Sequence, residues 1–140
     1  MKEIKFKVEI NYDFELFGII SSLKDYKLAW QINHELKLTF VKVEDHEAYH
    51  TKTNRVEVSS FEHLAQGTVM HLLSNKVYKQ YDEQQEYLVP ELKQFDYFLR
   101  KEGEVNDVTN FTNKLKQING IEFITNIDLM KLKSKENFIF

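Results

Sequence analysis

Apolar residues recur in this chain at two spacings, every second position and every third or fourth, and the switches between them outline its elements. Phe6, Val8 and Ile10 alternate with Lys5, Lys7 and Glu9 and predict a half-buried strand. Asp13 then stands in a capping position, with Leu16, Phe17, Ile20 and Leu23 along one side, which predicts a short helix from Phe14. Asp25 offers a second cap, and Leu28, Ala29, Ile32 and Leu36 come after it at helical spacing. Two consecutive helices are therefore expected, with a bend near Ser22–Asp25.

Leu38, Phe40, Val41 and Val43 make a short β-rich run, and the polar residues from Glu44 to Asn54 predict a surface loop after it. Val56 and Val58 open another strand that continues to Leu64. Gln66-Gly67 then turns the chain into Val69–Leu73, giving a hairpin. A second turn around Tyr81–Gln85 returns the chain through Tyr87 to Val89. Val108, Phe111, Leu115 and Ile118 predict a helix stopped by Asn119-Gly120, and Ile121, Phe123, Ile124 and Thr125 a last strand. The expected class is α+β in a single domain, residues 1–140. Its sheet is antiparallel or mixed with helices packed on one face, and a ferredoxin-like variant is one such arrangement.

The most distinctive stretch runs from Leu88 to Leu99 and holds Pro90, the one proline of the chain. Proline has a fixed φ and no amide donor, and it pushes the residue before it toward extended geometry, so Val89-Pro90 marks a corner. The residues after Pro90 admit two readings. As a helix they have Pro90 near the start, Glu91 in the first turn and Gly103 as a stop. As a strand, Phe95, Tyr97 and Leu99 alternate with Asp96, Phe98 and Arg100. Four apolar residues between Phe95 and Leu99 leave little amphipathic contrast and favour a strand from Phe95 to Lys101.

Val89-Pro90-Glu91, a gap of three residues, then Phe95-Asp96-Tyr97 resembles the motif after which the IPExxxVDY family of small bacterial proteins is named. Val89 replaces the motif's Ile and Phe95 its Val, and both stay apolar. The resemblance extends along most of the chain, through Tyr12-Asp13-Phe14, Lys24-Asp25-Tyr26 with Trp30, and Leu132-Lys133-Ser134-Lys135-Glu136-Asn137. That family has no established activity, so the resemblance implies no catalytic residue. Its genes often lie near those for ribonuclease III and fatty-acid synthesis, which implies a housekeeping setting.

Charge narrows the partners. The net charge of −3 is made of interspersed signs, unlike the basic stripe of a duplex nucleic-acid binder. Residues 78–104 hold seven acids against four bases, while Lys131, Lys133 and Lys135 form a small basic tail. Without cysteine there are no disulfides, thiolate metal sites or cysteine nucleophiles. The first residues lack the apolar core of a signal peptide, and no run is long and apolar enough to span a membrane, so a cytoplasmic protein is expected.

His46-Glu47-Ala48-Tyr49-His50 matches H-E-x-x-H. In a zinc protease that motif works because residues four apart share one face of a helix, where two imidazoles bind the metal and the glutamate activates its water. Here the flanking residues are polar, no apolar stripe supports a helix, and no spacing singles out a third ligand among Glu57, Glu62 and His63. A solvated loop is the expectation. Glu91 with Asp96 could form paired carboxylates, but turn or cap hydrogen bonding suits them better. His63 and His71 fall on the two arms of the hairpin, on a solvated face. No phosphate loop, nucleophile elbow or dinucleotide fingerprint is present.

The expected function is non-catalytic binding of another protein, without metal or cofactor. Its expected contact surface is Tyr81, Tyr87, Pro90, Glu91, Asp96 and Tyr97. An RNA-associated accessory protein and a metal-dependent hydrolase using His46–His50 are the alternatives. Homo-oligomerisation stays open.

Overall fold

A computed structural model describes residues 13–49, 55–77, 85–103 and 108–140. Among the described residues six strands form one sheet: β1 (Phe14–Ser21), β2 (Val41–Tyr49), β3 (Arg55–Ala65), β4 (Thr68–Ser74), β5 (Tyr97–Gly103) and β6 (Ile121–Asn126). Helix α1 (Asp25–Leu36) connects β1 to β2, and α2 (Val108–Lys116) connects β5 to β6. The spatial order is β2-β3-β4-β5-β1-β6, with every neighbouring pair antiparallel. This is the β-α-β-β-α-β ferredoxin-like plan with its central hairpin extended to a four-strand meander.

The helix predicted from Phe14 is instead β1. Leu16-Phe17-Gly18-Ile19-Ile20 is a continuous apolar run, as expected of a central strand covered on both faces. Phe17 and Ile19 pack under the helices, while Leu16 joins the core on the opposite face. Both edges of β1 are paired, Phe17 to Leu99 of β5 and Ile19 to Ile124 of β6. The strand expected at Phe6–Ile10 lies outside the described residues.

Helix α1 occupies the predicted positions and buries Leu28, Ala29 and Ile32. Asp25 is its first residue rather than its cap. The cap position belongs to Lys24, and the Asp25 carboxylate accepts from the Ser59 hydroxyl of β3 at 2.5 Å, tying the helix to the sheet. Lys37, in left-handed geometry at φ 55°, ends the helix.

The loop expected from Glu44 onward is a strand as far as Tyr49, with a bulge between Val43 and His46. Its polar residues belong to an edge strand, where one side of the backbone has no strand neighbour among the described residues and charge discourages pairing with another chain. Residues 50–54 lie outside the described region. The β3–β4 hairpin turns at Gly67, whose φ of +78° suits glycine, and the strand reading after Pro90 holds, with β5 starting at Tyr97.

Two cores result. One lies between the sheet and the two helices, built on Phe17, Ile32, Leu72, Leu99 and Leu115. The other covers the opposite face with irregular segments in place of an α-helix. There Leu88, Val89 and Phe95 from the Pro90 corner, with Leu129, Leu132 and Phe138 from the C-terminal segment, pack on Leu16, Val58, Leu73 and Phe98. Among the described residues no helix is long and apolar enough to cross a membrane.

Candidate interaction surface

The Pro90 corner is closed by Asn75, a fully buried residue just past β4. Its side-chain amide donates to the carbonyls of Leu92 (3.0 Å) and Phe95 (2.9 Å), and its side-chain oxygen accepts from the Val89 amide at 2.9 Å. Its backbone binds Asp96 and Leu88 in addition. Val89 is extended (φ −122°, ψ 90°) and Pro90 opens a single 3-10 turn, as the chemistry of proline predicts.

The residues expected to form a contact surface here mostly hold the fold together. Tyr97 is 6 % exposed and its hydroxyl donates to the Leu23 carbonyl, so it belongs to the core and is not a surface anchor. The Asp96 carboxylate accepts from the Ser21 amide at 2.9 Å, locking the end of β1. Glu91 accepts from the Ser134 amide (2.9 Å) and hydroxyl (2.7 Å), fastening the C-terminal segment. Partial burial works against its ionised form, yet these hydrogen bonds prevail and its pKa lies below the ordinary glutamate value. Tyr87 is half-buried, with the Lys93 ammonium 5.7 Å from its ring centre, while Pro90 is exposed. Tyr81 lies outside the described residues.

His46 is buried in β2, not set in a solvated loop. His46–Tyr49 is extended strand, rising about 3.3 Å per residue, and does not have the helical geometry that H-E-x-x-H requires; His50 lies outside the described residues. His46 Nε2 donates to the Asn137 carbonyl at 2.5 Å, and its ring stacks on Phe140. His71 stacks on Phe140 as well and donates from Nε2 to Glu62 at 2.9 Å. Arg100 lies beneath, its guanidinium 4.0 Å from the Phe14 ring centre and 5.0 Å from that of Phe140, donating to the Phe138 carbonyl. Burial, the largest influence on each, lowers the pKa of both histidines. His63 does not neighbour His71. It pairs with Met70 and faces the helices, while the cross-strand neighbour of His71 is Glu62.

What the expectations missed is the solvent face of α1. Tyr26 and Trp30, one turn apart, are each 60 % exposed, and the Trp30 indole stacks on His34 at 5.3 Å, within 2° of parallel. The opposite side of the same turns is fully engaged through Leu28 and Ile32, both at 0 % exposure. The aromatic strip thus projects from a firmly seated helix. Its signal was legible, since helical spacing from Leu28, Ala29 and Ile32 places Tyr26 and Trp30 on the far side.

No family model matches the chain, and no curated protein is similar to it.

Proposed function

We propose that this is a non-catalytic, cytoplasmic protein-binding module whose contact face is the Tyr26–Trp30–His34 strip of α1. The observation that carries the reading is the exposure of a tryptophan and a tyrosine on successive turns of a helix anchored by its other face. Trp and Tyr supply large contact area at low conformational cost and dominate binding energy at protein interfaces. His46, Glu91 and Asp96 hydrogen-bond to backbone groups and His71 donates from Nε2 to Glu62, so these four residues are tied into the fold. Membership of the IPExxxVDY family belongs to the same proposal and rests on Val89-Pro90-Glu91 and Phe95-Asp96-Tyr97. In that light the motif maintains the corner and the binding face lies on α1.

The test is a pull-down from native lysate with wild type, Trp30→Ala and Tyr26→Ala, read by mass spectrometry alongside thermal melts. Trp30→Ala is expected to melt like wild type and to weaken capture of the partner by about 2 kcal/mol or more. Undiminished capture of the same partner by both variants would refute this contact face. Co-purification of RNA in place of protein would favour the nucleic-acid alternative.

A further inference from the structure

A cleft of about 350 Å³ opens where the end of α1, the middle of α2 and the β3–β4–β5 part of the sheet meet. That volume lies in the roughly 300–1,000 Å³ range of small-molecule sites. Leu36, Leu38, Met70 and Phe111 supply an apolar lining, and the polar residues of the lining include His63, Lys101 and Lys114. Among the described residues no carboxylate lines it.

Lys101 gives the cleft its chemistry. The residue is 7 % exposed, and its ammonium sits 4.5 Å from the centre of the Phe111 ring. Among the described residues no carboxylate comes within ion-pair distance of it. Its cross-strand neighbour Glu15 keeps one buried carboxylate oxygen without a hydrogen-bond partner instead of joining it. Among the described residues the Phe111 ring is the contact that supports this buried cation, and a bound anion would complete it.

His63 adds a donor of known tautomer. Its Nδ1 accepts from the Thr39 amide at 3.0 Å, and a backbone amide can only donate. Burial lowers the pKa of the ring, so the neutral form carries its proton on Nε2. The cleft therefore brings a lysine and a neutral histidine together with apolar walls.

We infer that this cleft binds a small organic carboxylate whose apolar body lies against Met70 and Phe111 and whose carboxylate is held by Lys101 and His63. The site is separate from the α1 strip and stands independently of the partner that strip engages. The apolar lining favours a carboxylate with a ring or short chain over inorganic phosphate, which could use only the cation.

Titration of the full chain with indole-3-acetate, indole-3-acetamide and inorganic phosphate, followed by amide NMR, tests this. The acid is expected to bind saturably by about millimolar concentration, shifting Thr68, Met70 and Phe111, and to bind at least about tenfold more tightly than the amide. Lys101→Met should lose that advantage while melting no lower than wild type, and Lys101→Arg should retain much of it. Equal binding of acid and amide, unaltered acid binding in Lys101→Met, or no shift at the three reporter residues would overturn the inference. So would a matching fall in Tm for Lys101→Met and Glu15→Gln with no further fall in the double variant, because Glu15 would then be the counter-charge of Lys101.

Discussion

The ring of Phe140 lies 3.9 Å from that of His71, 14° from parallel, and His46 stacks on the same phenyl group at 4.2 Å. Protonating either histidine places new positive charge beside Arg100. For both rings burial is the main force lowering the pKa; the Asn137 carbonyl opposes it at His46 and Glu62 at His71. A histidine with a lowered folded pKa binds fewer protons folded than unfolded once the pH drops below its ordinary value of 6.5. The contribution to stability is thus complete above that pH and declines as the pH falls from there. Denaturant unfolding from about pH 8 to about pH 5 should show a plateau and then a loss, flattened in His46→Gln and His71→Gln. A wild-type profile level across that whole range would contradict this.

His46→Ala removes a buried ring and a hydrogen bond to Asn137, so it should cost about 1–3 kcal/mol. The same cost is expected with or without a metal chelator, and wild type should melt at one temperature in both conditions. A chelator-dependent melt would restore the metal reading of His46–His50.

Asn75→Ala would leave the Leu92 and Phe95 carbonyls and the Val89 amide without their side-chain partner inside the protein. A loss of about 3 kcal/mol or more is expected, lowering Tm by roughly 6–12 °C. Asn75→Asp keeps the acceptor for Val89 but gives up both donated bonds, so its loss should also be substantial. Near-wild-type melting of Asn75→Ala would show that the corner is held by apolar packing alone.

Elements with one side in solvent or a clear turn signal were legible. Leu28, Ala29 and Ile32 declare α1, and Gly67 between two β-rich runs declares the β3–β4 hairpin. Where both sides are covered, the pattern loses its period. Leu16, Phe17 and Ile20 fit a helical spacing only because every position from Leu16 to Ile20 except Gly18 is apolar. The reverse error concerned His46 and Ala48, inward residues of an edge strand hidden among charges that face water. Tyr97 was misplaced for a third reason. A phenol can be interface or core, and the decision lies with the Leu23 carbonyl, 74 residues away in the chain. The cleft was beyond sequence reasoning altogether, since Lys101, His63 and Phe111 come together only through sheet order.

The position of β1 between β5 and β6 has a consequence for how the protein is made. As the chain leaves the ribosome, Leu16–Ile20 emerges before its two neighbours: β5 begins roughly 75 residues after β1 ends, and β6 later still. At 5–20 residues per second that interval lasts roughly 4–15 s, during which both edges of an apolar strand lack their final neighbours. The β3–β4 hairpin, closed by nearby residues, can form within that time. Nascent-chain chaperones are therefore expected to engage the β1 segment, and to let go only after β5 has been translated and has cleared the exit tunnel.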